Sequence, residues 1–231
     1  MSEGSKKNIP EHVALVMDGR YRWALERNLS LPEGQAKGFE KLKQSFDWFF
    51  LRGVNFLSAH VFPPSFWDRD SREIESLFYF LKKMLNDSRE EFKNKDYRVI
   101  FSGRISELPD DVVILCEEIK RQTKAGTSGT LNICLNYSGR NELLDAVKKI
   151  IRNNLTEEQI HEGIIKKYLY NSELPDVDAI IRVGGGQQLA NLLVWQSAYA
   201  EIFFLKKYWP DFEEMDVIQI LDEYNKRKTK I

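Results

Sequence analysis

The stretch HVALVMDGRYRWA, residues 12–24, joins a short apolar run to a charged turn. Its first half, His12–Met17, has the length and the unbroken apolar character of a strand that is buried on both faces of a parallel sheet. Asp18 and Gly19 end that run, and the arginines that follow place charge directly beyond the strand. The stretch therefore predicts a parallel α/β fold with a functional turn after its first strand.

Apolar runs of strand length alternate with helical patterns along the rest of the chain, which is typical of an α/β fold. We expect a single domain over residues 1–231, with a six-stranded, mostly parallel sheet flanked by helices and joined by right-handed crossovers. Residues 1–10 are polar and are expected to be flexible. The predicted strands are residues 12–17, 55–62, 97–101, 130–137, 179–183 and 202–205. The predicted helices are residues 32–51, 71–95, 109–125, 141–152, 156–169, 191–201 and 213–228.

The composition indicates an ordinary globular protein. The chain has 231 residues, 42% of them hydrophobic and 30% charged, and its formal net charge is -1. That balance argues against wholesale disorder and gives no positive field for a nucleic-acid partner. No apolar run reaches about 18 residues, so we expect no membrane span and at most a peripheral membrane contact. Cys116 and Cys134 lack a CxxC spacing and predict buried thiols in a reducing, cytoplasmic compartment.

Ligands of parallel sheets bind beyond the carboxyl ends of the strands, so the loops at those ends form the candidate site. The first such loop carries Asp18 beside Arg20 and Arg22. A carboxylate is a hard oxygen ligand for Mg²⁺, and arginines bind phosphate oxygens in a bidentate manner. The loop therefore predicts a site for magnesium and phosphate. The alternative is a surface turn whose charges pair with one another.

Two further loops at strand ends carry unusual residues. Residues 63–69, PPSFWDR, combine two prolines and two large aromatics with Arg69. They predict a lid over an apolar ligand or, alternatively, a hydrophobic plug at the end of the sheet. Residues 182–188, RVGGGQQ, combine an arginine with three glycines, whose backbone N–H groups are able to approach a phosphate closely. The alternative there is a plain flexible loop.

Glu201 interrupts an apolar run, and a carboxylate buried at that position needs a metal or an arginine as its partner. The aromatic side chains around it, Trp195, Tyr199, Phe203 and Phe204, are expected in the core. The histidines show no metal-binding spacing. His12 begins a strand and His60 lies inside one, so both are expected to be structural.

Taken together, four segments resemble the cis-prenyltransferase family, whose best-known member is undecaprenyl diphosphate synthase. The resemblance extends from about residue 12 to residue 216. It implies a hydrophobic tunnel within the six-stranded fold, a dimer, and Mg²⁺ held by Asp18 on an allylic prenyl diphosphate. Isopentenyl diphosphate, the second substrate, would be held near the glycine loop. The segments are HVALVMDGRYRWA (12–24), LNICLNYSGRNELLDAV (131–147), LPDVDAIIRVGGGQQLANLLVWQSAYAEIFF (174–204) and WPDF (209–212).

The resemblance also implies roles for individual residues, and we expect the charged ones to converge at one end of the sheet. The residues implied as catalytic are Asp18, Arg22, Arg182 and Glu201, with Asp18 also the metal ligand. The residues implied as substrate-binding are Gly19, Arg20, Trp23, Gly34, Gln35, Phe66, Trp67, Arg69, Gly184, Gly185 and Gln188, and Asn191 also carries over from the family pattern.

The chain departs from the family pattern at several diphosphate-binding positions. The family has asparagine at Arg20, arginine at Leu31 and histidine at Gln35, all in the allylic-diphosphate pocket. Pro63 and Phe66 replace a serine and an asparagine of the lid motif. Gly186, Gln188 and Ala190 replace glutamate, arginine and serine of the glycine loop, which weakens the grip on the second diphosphate.

These departures lead to three functional hypotheses. The first is a diverged enzyme that ionises an allylic diphosphate with Mg²⁺ and gives prenyl transfer, irregular condensation or terpene-synthase-like cyclisation. The second is a non-catalytic subunit that supports an active paralogue. The third is an ordinary chain-elongating polyprenyl diphosphate synthase. In each case the apolar segment 191–204 predicts a homodimer, or a heterodimer where a paralogue exists.

Overall fold

The computed structural model describes residues 7–228 and follows the predicted alternation of strands and helices. The strands are β1 (His12–Met17), β2 (Phe56–Phe62), β3 (Tyr97–Ser102), β4 (Gly129–Leu135), β5 (Ala179–Val183) and β6 (Glu201–Leu205). The α-helices are α1 (Arg20–Glu26), α2 (Leu31–Phe50), α3 (Ser71–Asp87), α4 (Arg89–Asn94), α5 (Asp110–Gln122), α6 (Gly139–Arg152), α7 (Glu162–Tyr168) and α8 (Glu214–Lys228).

The six strands form one sheet in the order β3-β4-β2-β1-β5-β6, and every pairing is parallel. This confirms the predicted six-stranded sheet. The central strand β1 lies between β2 and β5, with Met17 beside Val183. The chain leaves β1 toward one edge and returns on its other side as β5, which makes the end of β1 the switch point of the topology. Ligands of open α/β sheets bind at such points.

The larger hydrophobic core lies on the sheet face that is covered by α2, α3, α5 and α8. Helix α2 shows why these residues form a helix, since Ser30 and Glu33 make a reciprocal capping box at its start. Its aromatic residues then recur at helical spacing and are buried against the strands, as with Phe39, Phe46 and Phe49. The smaller core on the other face includes Tyr137 and the turns after β5.

Hydrogen bonds between buried polar side chains cross this second face over four neighbouring strands. His12 Nε2 on β1 lies 2.8 Å from Ser58 Oγ on β2. Asn132 Nδ2 on β4 donates to the same Ser58 oxygen at 2.9 Å, and Ser102 Oγ on β3 donates to Asn132 Oδ1 at 2.8 Å. These four side chains, which we call the polar row, are almost completely buried. Each group has a partner in the next strand, so the polar row satisfies groups that would otherwise be costly to bury.

The predicted helix over residues 191–201 is wrong. The chain passes there through turns, with Ala190 and Asn191 in the left-handed region at φ 52° and 59°. The Asn191 carbonyl oxygen accepts a hydrogen bond from Gly139 N at 2.8 Å, so this segment closes the start of α6 instead of forming its own helix. Leu192 and Leu193 are buried there, but two of the aromatic residues expected in the core are not, since Tyr199 is 92% and Phe204 is 45% exposed.

Two other helices differ from their predicted bounds. The helix expected over residues 71–95 breaks at Ser88 into α3 and α4, where Asn86, Asp87 and Ser88 follow one another. Such residues are weak helix formers because their side chains compete for backbone hydrogen bonds. The helix expected over residues 156–169 is confined to α7, which a 3₁₀ turn precedes.

The amino-terminal segment was expected to be flexible over residues 1–10. Residues 7–10 contact α8, where Lys7 Nζ lies 3.1 Å from Asp222 Oδ1 and Asn8 N donates to Asn225 Oδ1 at 2.7 Å. Residues 1–6 lie outside the described residues. Within residues 7–228, none of the helices is both long enough and apolar enough to cross a bilayer.

Candidate active site

The turn after β1 places Asp18 at the mouth of the sheet end. Gly19 adopts φ 97°, and a Cβ atom at this position would lie 2.5 Å from Tyr208 Cδ1. The turn therefore requires glycine for its conformation and for its space. On the other side, Trp209 N donates to the Asp18 carbonyl oxygen at 3.0 Å. Asp18 is thus held between the end of β1 and the segment that precedes α8.

Two adjoining cavities open at this point, with volumes of about 350 Å³ and 250 Å³. We call them the first and the second cavity. They share Met17, Asp18, Arg20 and Phe66. The first cavity is also lined by Gly19, Tyr21, Arg22, Leu31, Gln35, Arg69 and Glu73. The second is also lined by Val16, His60, Val61, Pro63, Ser65, Arg182, Gln188 and Ala190.

Arg182 is the basic partner of Asp18. Its Nη2 lies 2.7 Å from Asp18 Oδ2, and its Nη1 donates to the Gln188 carbonyl oxygen. The place of this arginine depends on the glycine loop, because a Cβ atom at Gly186 would lie 2.5 Å from Arg182 Nη2. The guanidinium therefore lies against a position that only glycine leaves open.

The first and third loops are joined directly. Gly184 adopts φ 102°, and a Cβ atom there would lie 2.7 Å from Asp18 Cβ. The Gly184 carbonyl oxygen accepts a hydrogen bond from Arg22 Nη2 at 2.8 Å, and the same guanidinium lies over the Tyr208 ring. Gly185 is exposed at φ 79° and does not line either cavity.

The far wall of the first cavity comes from α2, α3 and the 3₁₀ turn at Pro64–Asp68. The buried Gln35 side chain donates to the Glu73 carbonyl oxygen at 3.3 Å, and its own Oε1 is buried without a donor in the described part of the chain. Arg69 forms an ion pair with Glu73 and lies 4.0 Å from the centroid of the Phe66 ring. The predicted lid loop therefore contributes an aromatic side chain and a cation to the cavity.

Several predicted site residues support the cavities without lining them. Trp23 Nε1 donates to Asp211 Oδ1 at 2.7 Å, and Trp67 Nε1 donates to Asn136 Oδ1 at 3.1 Å. A Cβ atom at Gly34 would lie 2.7 Å from the Arg20 carbonyl oxygen, so this glycine allows α1 and α2 to pack closely.

Glu201 is not at the cavities, and the expected convergence is wrong for this residue within one chain. It begins β6 and pairs with Ala179, the first residue of β5, so it lies at the opposite end of the sheet from Asp18. Four residues of strand separate these ends, roughly 13 Å at about 3.3 Å per residue. Its carboxylate lies 3.1 Å from Arg227 Nη1, which is the arginine partner that sequence reasoning allowed.

Three residues at the site were missed or interpreted differently from the sequence. Tyr208 packs on the first loop, and its place directly before the WPDF segment was the available signal. Glu73 holds Arg69 at an i,i+4 spacing. His60 is structural as expected, since its Nε2 lies 3.2 Å from the Tyr137 carbonyl oxygen, yet it also lines the second cavity. Burial lowers the pKa of His60 to about 4, so its imidazole is neutral at neutral pH.

The apolar interior next to the first cavity is filled by large side chains. Phe39, Phe46, Phe62 and Phe78, which lie between α2, α3 and the sheet where the family resemblance implied a tunnel, are at most 5% exposed. A third, mostly apolar cavity of about 260 Å³ lies between α2 and α3, and Phe39 forms part of its wall. In this structure the space for a hydrocarbon chain is therefore interrupted at Phe39.

The residues at Asp18 fit a magnesium ion that arrives with a phosphate ligand. Asp18 Oδ1 has no hydrogen-bond partner in the described chain, and the side chain is 42% exposed. Within residues 7–228 no group of three or more carboxylate, histidine or cysteine side chains gathers to hold a metal. Magnesium in proteins commonly takes one or two carboxylates and completes its shell with phosphate oxygens and water. Asp18, with one carboxylate oxygen free and arginines beside it, matches that chemistry, whereas the second carboxylate of the cavity, Glu73, is paired with Arg69.

Four arginines and two carboxylates line the adjoining cavities at the switch point of an all-parallel sheet, and this excess of positive charge defines an α/β protein with an anion-binding cleft. Comparison with known proteins makes the class specific. Residues 16–231 match the family model described as "Putative undecaprenyl diphosphate synthase". The chain therefore belongs to the undecaprenyl diphosphate synthase family of prenyltransferases, as its sequence motifs predict.

Relatives and solved structures match over most of the chain. An isoprenyl transferase of Thermotoga maritima is 38% identical over 224 residues, covering 96% of each chain. A tritrans,polycis-undecaprenyl-diphosphate synthase (geranylgeranyl-diphosphate specific) of Pyrococcus abyssi is 35% identical and covers 96% of this chain and 86% of its own. The crystal structure of lavandulyl diphosphate synthase from Lavandula x intermedia in complex with dimethylallyl diphosphate superposes with a TM-score of 0.90 at 25% identity, covering 94% and 95% of the two chains.

Proposed function

We propose that the chain is a magnesium-dependent prenyltransferase that binds an allylic prenyl diphosphate in the first cavity and transfers its prenyl group to an acceptor in the second. The observation that supports this most directly is the pair of cavities that share Asp18 and Arg20 at the end of β1. Two adjoining sites with a common carboxylate and a common cation suit two substrates that must react with each other.

In this proposal the first cavity binds the leaving diphosphate. Arg22 and Arg69 line it and supply positive charge where negative charge develops as the allylic C–O bond breaks. Asp18 would hold Mg²⁺, which when bound adds Lewis-acid stabilisation to that diphosphate. Phe66 covers the reacting region and excludes water, which protects the allylic cation from hydrolysis.

The second cavity lacks two side chains that would help to hold isopentenyl diphosphate for ordinary elongation. Its glycine-loop residues Gln188 and Ala190 offer neither a guanidinium nor a hydroxyl, and Arg182 is already paired with Asp18. Isopentenyl diphosphate and a second allylic diphosphate present the same diphosphate to this cavity, so the weaker hold alone does not distinguish them. It lowers the occupancy of either acceptor, which leaves the allylic cation more time to react with its own double bonds in a cyclisation. Irregular condensation with a second allylic diphosphate is a candidate as well, because Arg20 still supplies positive charge to the second cavity.

Ordinary chain elongation is the second candidate. It is supported by the names of the relatives, which are isoprenyl transferases and polyprenyl diphosphate synthases that match over nearly the whole chain. In that case Arg182 would leave Asp18 when substrate binds and would hold isopentenyl diphosphate itself. The filled interior around Phe39 then favours short products.

We also propose a homodimer in the cytoplasm. Leu144, Val147 and Ile151 expose 55%, 50% and 67% of their surface on one side of α6. Tyr199 and Phe204 expose further apolar surface. An amphipathic helix that turns part of its apolar side outward is typical of an interface between subunits. The buried free thiols Cys116 and Cys134 suit a reducing compartment.

The proposal is tested with purified protein, Mg²⁺, and dimethylallyl, geranyl or farnesyl diphosphate, each with and without isopentenyl diphosphate. Release of diphosphate and a prenyl product from allylic diphosphate alone supports irregular condensation or cyclisation. Products that lengthen only when isopentenyl diphosphate is present support elongation. If no substrate releases diphosphate, the enzyme proposal is wrong and the hypothesis of a non-catalytic subunit takes its place.

A further inference from the structure

The two cavities are lined by four arginines, and three of them already have an acceptor in the described chain. These bonds are Arg22 to the Gly184 carbonyl oxygen at 2.8 Å, Arg69 to Glu73, and Arg182 to Asp18 at 2.7 Å. Arg20 differs from them. Within residues 7–228 its guanidinium has no hydrogen-bond acceptor and no carboxylate at ion-pair distance, and it lies over the Phe39 ring.

Arg20 remains a cation in these surroundings. Its guanidinium carbon lies 5.7 Å from the centroid of the Phe39 ring, which offsets only part of the loss of water. Burial lowers the pKa of Arg20 to about 10, which still leaves it charged at neutral pH. None of the Arg20 nitrogens is among the buried atoms that lack a partner, so the guanidinium reaches the open cavity and is available to an anion that enters it.

The position of Arg20 is set by a glycine on the neighbouring helix. A Cβ atom at Gly38 of α2 would lie 2.4 Å from Arg20 Cδ, so the stem of the arginine crosses α2 where no side chain is present. This contact directs the guanidinium to the boundary between the two cavities. The position of the Arg20 side chain therefore depends on the absence of a side chain at Gly38.

The second cavity depends on Arg20 more than the first cavity does. The first cavity has Arg22 and Arg69 as further cations, whereas the second has only Arg182 among its described lining residues. Arg182 is committed to Asp18 and to the Gln188 carbonyl oxygen. Arg20 is thus the uncommitted positive charge of the second cavity.

We infer that Arg20 binds the diphosphate of the acceptor substrate in the second cavity. It would supply a charged hydrogen bond that Gln188 and Ala190 are unable to make. The acceptor is then itself a prenyl diphosphate, and not water or an uncharged molecule. This inference rests on the proposed function and specifies the chemistry of its second substrate.

The test compares the parent protein with Arg20→Gln and Arg20→Lys. Calorimetric titration of inorganic pyrophosphate in Mg²⁺ should show two binding events in the parent, one for each cavity. Arg20→Gln should weaken one event by about 10-fold or more, the size of a lost charged hydrogen bond, and Arg20→Lys should recover most of it. With isopentenyl diphosphate or a second allylic diphosphate as acceptor, the acceptor KM should rise by the same factor while the donor KM stays within about twofold.

Gly38→Ala provides a second variant that keeps the charge but displaces it. Alanine is a better helix former than glycine, so α2 should remain intact. We expect Gly38→Ala to raise the acceptor KM in the parent and to add little in Arg20→Gln, because the displaced group is then absent. If Arg20→Gln fails to fold, Gly38→Ala alone carries the test.

Two results would overturn the inference: unchanged pyrophosphate binding in Arg20→Gln, or a donor KM that rises as much as the acceptor KM. Failure of the proposed function gives a different result. In that case the parent forms no prenyl product from any substrate, while the pyrophosphate titration still reports whether Arg20 binds an anion.

Discussion

Asp18 Oδ2 lies 2.7 Å from Arg182 Nη2, so the carboxylate that we propose as the ligand of the metal ion is half of an ion pair in the free chain. Arg182 is the more buried partner, with 12% of its side chain exposed against 42% for Asp18. A cation that approaches Asp18 must therefore compete with a positive charge already in place. Diphosphate relieves this competition because it offers Arg182 another anion. We expect Mg²⁺ alone to bind weakly, and to bind at least tenfold more tightly when inorganic pyrophosphate is present, as calorimetry would measure.

Replacing the carboxylate tests its chemical role directly. Asp18→Ala should reduce diphosphate release from allylic substrates by a factor of about 10² to 10³, because about 3–4 kcal/mol of charge stabilisation is lost in the transition state. The free energy of unfolding should change by only about 1 kcal/mol, since Arg182 keeps the Gln188 carbonyl as an acceptor. Asp222→Ala, which removes the exposed partner of Lys7, is the matched control and should keep full activity. Equal release by the parent and Asp18→Ala would mean that the metal site lies elsewhere.

Gly186 offers a way to move Arg182 without changing a charge. In Gly186→Ala the new Cβ atom would lie 2.5 Å from Arg182 Nη2, so the guanidinium must leave its place beside Asp18. We expect Mg²⁺ to bind Asp18 more tightly in the absence of pyrophosphate, by about 10-fold as an order of magnitude for one competing charged contact. Gly163→Ala in α7, far from the cavities, controls for the added methyl group. Unchanged Mg²⁺ binding in Gly186→Ala would show that Arg182 does not compete with the metal.

The glycine loop tests the acceptor site in the opposite direction. Gln188→Arg together with Ala190→Ser should add a guanidinium and a hydroxyl to the second cavity, which both positions already line. The KM for isopentenyl diphosphate should fall by about 10-fold or more, and products should lengthen. Product chain lengths by mass spectrometry provide the measurement. If the parent already elongates normally and the double change alters nothing, irregular condensation is wrong.

The exposed side of α6 tests the dimer. Leu144→Lys with Val147→Lys places two charges on the apolar side of that helix, where both residues are at least half exposed in the single chain. Light scattering should give a dimer for the parent and a monomer for the variant, because charges are expensive at the centre of an interface. Ile114→Lys, at an exposed apolar position on α5, is the control and should remain dimeric. A monomeric parent at micromolar concentration would contradict the prediction.

Acid should destabilise the fold through His12. Burial lowers the pKa of this fully buried histidine to about 4, below its unfolded value of about 6.5. Between these values the unfolded chain takes up a proton that the folded chain does not, so stability is complete above about pH 6.5 and falls as the pH decreases. The loss from this residue should be about 2 kcal/mol between about pH 7 and pH 5. Urea unfolding of the parent and of His12→Gln at several pH values measures this loss. The free energy of unfolding should fall less steeply with decreasing pH in the variant than in the parent. If the free energy of unfolding depends on pH equally in both proteins, the acid destabilisation comes from another residue.

The parts of the fold that were predictable from the sequence are those with strong local patterns. The apolar runs gave β1 and β5, and the spacing of phenylalanines gave α2, because burial on one or both faces imposes these periods. The segment 191–201 has a helical pattern too, yet Asn191 uses its backbone and side chain to close α6. Local periodicity contains no information about such a distant partner.

The candidate site was predictable in its residue types but not in its pairings. The loops that carry Asp18, Arg69 and Arg182 were identified because they follow strands. The predicted location of Glu201 was wrong because a sequence motif does not show at which end of a strand a residue lies. The ion pair at Asp18 joins loops more than 100 residues apart in the sequence, and the missing acceptor of Arg20 depends on how α1 packs against α2, so only the folded chain supplies them.

The polar row on the second face of the sheet makes the effect of a substitution at any of its four positions depend on the residues at the other three. His12, Ser58, Asn132 and Ser102 each have a hydrogen-bond partner on the next strand. Replacing one of them with an apolar residue leaves its partner buried without a hydrogen bond, which costs about 1–3 kcal/mol of stability. Replacing all four residues with apolar ones leaves no polar group without a partner. Replacing only some of them does leave such a group and is therefore destabilising. We therefore expect substitutions at these four positions to occur together or not at all.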